Sequence, residues 1–138
     1  MILIRVRAAS FILDTNIVAV LMANGTEVDP WLATVPRHEL DTTVMTMREI
    51  RYGPARLSTG SRRARLKERA DALFAETEER LLAFDMKAAD RYGDLVAARH
   101  AGGKPISVSD AIIASITWVH RATLATRNTA ISVIVKST

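Results

Sequence analysis

The chain has 138 residues, of which 49% are hydrophobic and 25% are charged, and this balance is that of one folded globular domain rather than a disordered chain. It contains no cysteine, which excludes disulfides, thiolate nucleophiles and cysteine-ligated zinc and is compatible with a reducing, cytoplasmic environment. The formal net charge of +4 favours a polyanionic partner such as RNA, DNA or an acidic protein, and no apolar stretch is long enough to cross a membrane.

Short apolar runs alternate with longer helical patterns along the chain, which predicts an α/β domain with a mainly parallel sheet. The run Phe11–Leu13 predicts a buried strand because it is short, apolar and followed by a turn signal, and residues 15–22 are expected to form a helix. A second helix is predicted over residues 28–35. A strand over residues 41–45 then leads into a helix over residues 46–55.

The second half of the chain opens with an amphipathic helix that is predicted to begin near Ser61. Its polar side carries a run of basic residues, namely Arg62, Arg63, Arg65, Lys67 and Arg69. The remaining predicted elements are a strand over 81–84, a helix over 86–100 ended by Gly102-Gly103, an apolar helix over 108–119, and strands over 122–125 and 131–135.

No linker interrupts this pattern, so residues 1–138 are interpreted as a single domain. Residues 1–10 are an extra N-terminal segment. They form an added edge strand or a disordered extension, or they reflect the choice of start codon.

Acidic residues occur where predicted strands give way to helices. Asp14 comes directly after the first strand, and Glu49 and Asp110 are placed in the first turns of the helices over 46–55 and 108–119. Ligands of parallel α/β sheets bind outside the carboxyl ends of the strands. We therefore expect the three carboxylates to converge on one cleft if these strands are neighbours.

Carboxylates that share a cleft repel one another unless a proton or a cation neutralises them. Two unit charges about 4 Å apart repel by roughly 4 kcal/mol at an effective dielectric constant near 20. Oxygen ligands without histidine or cysteine favour Mg²⁺ or Mn²⁺ over zinc. Such an ion activates water and neutralises charge on a phosphodiester, so the acids predict metal-assisted phosphoryl chemistry.

Each acid taken alone also has a purely structural interpretation. Thr46 with Glu49, and Ser107 with Asp110, fit the Ser/Thr-x-x-acid pattern that caps the start of a helix. Asp14 is a suitable N-cap for the helix that follows it. The two interpretations are compatible, because a capping side chain can still present an oxygen to a metal.

Four sequence blocks carry a more specific signal: FILDTNIV from Phe11, TMREIRYG from Thr46, KPISVSDAIIA from Lys104 and ATLATRN from Ala122. In this order and spacing they resemble the PIN-domain family, and most closely its VapC/FitB-like bacterial toxins. The resemblance extends from Phe11 to about Val135.

The resemblance implies a three-layer α/β/α fold and a ribonuclease that depends on Mg²⁺ or Mn²⁺. The implied catalytic and metal residues are Asp14, Glu49 and Asp110. Asp14 and Asp110 would bind the ion directly, while Glu49 would act through water or orient the nucleophile. The implied partners are an RNA substrate, a small VapB/FitA-like antitoxin and a second copy of the chain in a homodimer.

Residues next to these acids are given supporting roles by the same resemblance. Thr15 and Asn16 would support the first ligand, and Thr126 would shape the rim of the site. Arg127 lies beside the predicted site and is the candidate for contacting an RNA phosphate. The basic run after Ser61 is interpreted as a solvated helix face, with RNA contact or antitoxin binding as alternatives.

The chain departs from the family at the fourth acidic position. That position falls at Asn128 or at Ile131, and neither residue is acidic. An asparagine offers a neutral oxygen, so a second ion should bind weakly. The first hypothesis is thus an active endoribonuclease toxin, and the second is a catalytically impaired PIN module that binds antitoxin or RNA. A receiver-like signalling domain ranks last, because Lys136 is too close to the terminus to serve as its lysine.

Overall fold

The computed structural model describes residues 2–5, 10–23 and 30–128. In these ranges the strands are β1 (Ile2–Arg5), β2 (Phe11–Leu13), β3 (Leu40–Thr43), β4 (Leu81–Leu82) and β5 (Thr123–Thr126). The α-helices are α1 (Thr15–Met22), α2 (Val44–Ala55), α3 (Ser61–Thr77), α4 (Met86–Ala101) and α5 (Val108–Val119). Short 3₁₀ helices lie at Pro30–Thr34, Arg37–Glu39 and Glu78–Arg80.

The strands form one sheet in the order β1-β5-β2-β3-β4. The neighbours from β5 to β4 are parallel, whereas β1 runs antiparallel to β5 at the edge, with Ile2 opposite Thr126. The expected mainly parallel sheet is confirmed. Of the alternatives for the N-terminal segment, the structure shows an edge strand over Ile2–Arg5.

Helices cover both faces of the sheet. Successive strand residues point to opposite faces, so each face contributes to its own core cluster. Ile12 and Leu124 belong to a core cluster that contains residues of α4 and α5. Leu13 and Ala125 belong to a second cluster with residues of α1, α2 and α3. The predicted three-layer α/β/α arrangement is confirmed.

The predictions for β2, α1, α5 and the start of α3 are confirmed. The predicted α-helix over residues 28–35 is wrong in its described part, which forms the 3₁₀ helix Pro30–Thr34. Pro36 lies just beyond it and disfavours helical geometry in the residue before it, so a longer helix cannot continue here.

The boundary between β3 and α2 lies two residues earlier than predicted. Thr43 is the N-cap of α2, and its side-chain oxygen accepts a hydrogen bond from the backbone N–H of Thr46 at 3.1 Å. A threonine in this position satisfies a backbone donor that the first helical turn leaves unpaired. The helix therefore begins at Val44, and the predicted strand over 41–45 becomes Leu40–Thr43.

The later elements follow the predictions with smaller differences. The strand predicted over 81–84 is shorter, Leu81–Leu82, because the next helix starts at the N-cap Asp85, which accepts from Ala88 N at 2.9 Å. Gly103 has φ +67°, a conformation that favours glycine and ends α4. The strand predicted over 131–135 lies outside the described residues. Among the helices of the described ranges, none is long and apolar enough to cross a membrane.

Candidate active site

The carboxyl ends of β2 and β5 lie side by side, and the chain leaves them in different directions. β2 leads into α1, whereas β5 is reached from α5 and leads into Arg127 and Asn128. Adjacent parallel strands whose connections diverge in this way create a crevice at the edge of the sheet. Asp14 follows β2 directly at this crevice.

Asp14 is only 3% exposed, and its hydrogen bonds fix it in place. Its Oδ1 accepts from the backbone N–H of Thr15 at 2.8 Å, which confirms that Asp14 is the N-cap of α1. Its Oδ2 accepts from the hydroxyl of Thr126 at 2.6 Å and from the side-chain amide of Asn16 at 3.2 Å. The backbone N–H of Asp14 donates to the carbonyl of Ala125 at 2.9 Å and continues the sheet pairing into the site.

Thr126 and Asn16 tie the end of β5 to the start of α1. Asn16 Nδ2 also lies 3.3 Å from Thr126 Oγ1, and Asn16 Oδ1 accepts from the backbone N–H of Arg127 at 3.0 Å. The expected support of Asp14 by Asn16 is thus present. The prediction that Thr126 shapes the rim is wrong, because Thr126 is 0% exposed and lies beneath Asp14 as a donor to it.

Asp110 approaches the same crevice from α5. Ser107 is the N-cap of this helix and accepts from the backbone N–H of Asp110 at 3.1 Å, which confirms the capping pattern predicted there. This cap uses the backbone of Asp110 and not its carboxylate. Its Oδ2 accepts from the side-chain amide of Asn128 at 3.1 Å.

Burial raises the pKa of Asp14 above its ordinary value, because the charged form loses hydration. The hydrogen bonds from Thr126 and Thr15 oppose this rise, and the neighbouring Asp110 carboxylate adds to it. The negative charge of Asp110 therefore acts on Asp14. An ion that carried positive charge into the crevice would lower the pKa of Asp14 and favour its ionised form.

Glu49 lies in the second turn of α2, not in the predicted first turn, because α2 begins at Val44. The predicted capping role of Thr46 with Glu49 is therefore wrong, since Thr43 caps this helix. The Oε1 atom of Glu49 is buried without a hydrogen-bond partner. A buried carboxylate oxygen that lacks a donor is costly and is the kind of atom that a water or a cation stabilises.

Sequence analysis missed a hydroxyl contact that connects α2 to the start of α1. Thr46 is fully buried one turn before Glu49, and its Oγ1 lies 3.0 Å from the Oγ1 of Thr15. Thr15 directly follows Asp14, so this contact holds the α2 face that carries Glu49 against the crevice. Local sequence gives no signal for this contact, because Thr15 and Thr46 lie 31 positions apart.

In the described part of the chain, no group of three or more histidine, cysteine, aspartate or glutamate side chains is arranged to hold a metal ion. The structure thus connects two of the three predicted acids, Asp14 and Asp110, and within the described residues Glu49 makes no hydrogen bond to either. The side chains available as metal ligands are the carboxylates and Asn128. This chemistry fits a hard divalent ion such as Mg²⁺ or Mn²⁺ better than zinc.

Several residues of the basic run after Ser61 make contacts within the chain. Lys67 forms an ion pair with Asp71 at 2.8 Å, and Asp71 also pairs with Arg51. Arg69 donates to the carbonyl of Met22 at 2.9 Å. These contacts favour a structural role for this helix face. Arg127 is exposed beside the crevice and remains the candidate for a phosphate contact.

The fold and this crevice define an α/β/α domain with an acidic site at the switch point of a parallel sheet. The PIN domain family matches residues 11–136, and the chain belongs to that family. Membership rules out the receiver-like alternative.

Two similar proteins have names that describe an activity. The chain is 31% identical over 121 residues to the VapC ribonuclease Y4jK of Sinorhizobium fredii, which covers 86% of each protein. It is 31% identical over 124 residues to Toxin FitB of Neisseria gonorrhoeae, which covers 86% of this chain and 87% of FitB.

Solved structures show the same fold. The crystal structure of FitAcB from Neisseria gonorrhoeae superimposes with a TM-score of 0.81 at 26% identity, covering 91% of this chain and 93% of that one. VapBC complexes, one described as a member of a family of toxin–antitoxin systems, also match, and at identities of 20–23% they show the fold alone.

Proposed function

We propose that this protein is a Mg²⁺- or Mn²⁺-dependent endoribonuclease toxin of a toxin–antitoxin module. The observation that carries the proposal is the placement of Asp14 and Asp110, two carboxylates on separate elements that are connected through the hydrogen bonds of Thr126 and Asn128. The ribonuclease and toxin names of relatives at 31% identity support the activity and its biological setting.

In this proposal Asp14 and Asp110 hold the divalent ion. The chemistry that such an ion supplies is activation of a water and neutralisation of charge on the phosphodiester. Thr126, Thr15 and Asn16 orient Asp14 by donating to its carboxylate, which keeps the ligand oxygens in a fixed position.

Glu49 and Arg127 act on the substrate side. Glu49 accepts a proton from the attacking water, or orients that water, through the buried Oε1 that makes no hydrogen bond in the described structure. Arg127 contacts a phosphate of the RNA, a role that suits its planar array of donors.

An antitoxin partner is supported by an apolar groove as well as by the 31% identity to Toxin FitB. The groove has a volume of about 450 Å³ and is bounded by α1, α3 and the 3₁₀ helix Pro30–Thr34. Its apolar lining includes Val18, Leu21 and Leu73. We propose that an apolar segment of the antitoxin occupies this groove, and that two copies of the toxin associate as a homodimer.

The test is RNA cleavage by the antitoxin-free protein in the presence of Mg²⁺ or Mn²⁺. Asp14→Asn and Asp110→Asn should each reduce cleavage by at least about 100-fold, since even residues that only orient metal ligands cost about 10- to 100-fold. Asp94→Asn, at an exposed position of α4, is the matched control and should cleave normally. Cleavage that survives both site substitutions and EDTA would reject the mechanism.

A second candidate function follows from the fourth acidic position that the resemblance implies, which falls at Asn128 or at Ile131 and is not acidic in either case. An impaired PIN module would bind the antitoxin with negligible turnover. The same cleavage assay separates the two functions, because the impaired module would show no metal-dependent cleavage while still binding the antitoxin.

A further inference from the structure

Asn128 contacts the network around both site aspartates. Its side-chain Nδ2 donates to Asp110 Oδ2 at 3.1 Å. Its backbone N–H donates to Thr126 Oγ1 at 2.9 Å, and Thr126 in turn donates to Asp14 Oδ2 at 2.6 Å. One residue therefore fixes Asp110 directly and Asp14 through a single hydroxyl.

These hydrogen bonds determine which carboxylate oxygens can still accept. An ionised carboxylate has about four lone-pair positions, two on each oxygen. On Asp14, Oδ2 accepts from both Thr126 and Asn16, and Oδ1 accepts from Thr15 N. Oδ1 of Asp14 therefore retains acceptor capacity, and on Asp110 the Asn128 amide is directed to Oδ2 rather than Oδ1.

The charge of the residue at position 128 determines whether that residue attracts or repels the Asp110 carboxylate. The Asp110 carboxylate contributes to the raised pKa of Asp14. The neutral amide of Asn128 donates a hydrogen bond to the Asp110 carboxylate, whereas a carboxylate at the same place would repel Asp110 and could not donate.

We propose that Asn128 is a positioning residue, called here the neutral clamp, which holds Asp110 beside Asp14 for one divalent ion. Because Asn128 donates a hydrogen bond where an acid would ligate, it prevents binding of a second ion. This inference rests on the proposed function, because it assumes that the pair binds an ion. It assigns the neutral side chain at position 128 a specific consequence, which is a one-ion site with an ordered carboxylate pair.

The experiment is a Mn²⁺ titration of the full chain without RNA, followed by electron paramagnetic resonance and calorimetry. The wild type should bind one Mn²⁺. Asn128→Ala should still bind one ion, with an affinity about 10- to 100-fold weaker, because an orienting hydrogen bond to a ligand is lost. Asn128→Asp should bind a second ion, and its thermal stability should be lower in EDTA and recover with Mn²⁺.

A variant and a control keep the result interpretable. Asn128→Ser retains a shorter donor and should give an affinity between those of the wild type and Asn128→Ala, so the series is readable even if one variant folds poorly. Asp94→Ala should leave Mn²⁺ affinity unchanged.

The outcomes separate the clamp from the proposed function. Unchanged affinity in folded Asn128→Ala and Asn128→Ser would overturn the clamp, and so would a single ion of unchanged affinity in Asn128→Asp. A wild type that binds no Mn²⁺ would refute the metal-dependent function itself, and the clamp with it.

Discussion

Replacing Asp14 with asparagine tests whether the crevice is built to bind an ion at the expense of stability. Burial and the neighbouring Asp110 raise the pKa of Asp14 in the folded state. A group of this kind contributes stability that is fully present below its unfolded pKa, near 3.8, and is lost as pH rises through the higher folded pKa. At neutral pH the ionised Asp14 therefore lowers the free energy of unfolding.

Binding of a divalent ion should reverse this cost. An ion at about 100 times its Kd stabilises the folded state by about 2.7 kcal/mol. For a chain of 138 residues the entropy of unfolding is about 290 cal/mol/K, so this gain raises Tm by about 9 °C. Asp14→Asn removes a ligand and should reduce the rise to nearly zero.

Thermal unfolding measured with EDTA and with saturating Mg²⁺ or Mn²⁺ checks this prediction. In EDTA, the stability of Asp14→Asn relative to the wild type should also improve as pH rises from 4 to 7, because the variant carries no charge at position 14. Asp94→Asn should respond to the ion as the wild type does. An equal rise in Tm for the wild type and Asp14→Asn would refute the reasoning.

Three further predictions concern other parts of the site. Glu49→Gln should lower the cleavage rate by about 100-fold, because loss of a general base costs about 10²- to 10⁴-fold, and it should change the Mn²⁺ affinity little. Glu68→Gln, at an exposed position, is the control. An unchanged cleavage rate in Glu49→Gln would remove Glu49 from the mechanism. Arg127→Ala should weaken RNA binding and reduce its salt dependence by about one unit of log–log slope, measured by fluorescence anisotropy; an unchanged slope would argue against a phosphate contact. Leu21→Glu should abolish antitoxin binding in a pull-down because it places a charge in the apolar groove, without loss of RNA cleavage, and retained binding would locate the antitoxin elsewhere.

The parts of the fold that follow from local patterns were predictable. The N-caps Asp14 and Ser107 and the apolar periods after them place α1 and α5 correctly. The boundary of α2 was misplaced, because Thr43 and Thr46 are both plausible caps and local sequence does not choose between them. Tertiary contact decides, since a fully buried Thr46 reaches Thr15 across the start of α1.

The candidate site was predictable in its acids but not in its connections. The position of Asp14 after a strand identified it, whereas its bond to Thr126 joins residues 112 positions apart and depends on the pairing of β2 with β5. The same pairing brings Asn128 to Asp110. Such contacts depend on strand order, which a single sequence does not fix, and for this reason Thr126 was assigned to the rim instead of to the buried support of Asp14.

Anomalous X-ray scattering from a crystal of the protein grown with Mn²⁺ would locate the ion directly. One strong peak is expected in the crevice between Asp14 and Asp110, within bonding distance of a carboxylate oxygen of each. A crystal saturated with Mn²⁺ that shows no peak there, or a peak bound only by other residues, would contradict this expectation.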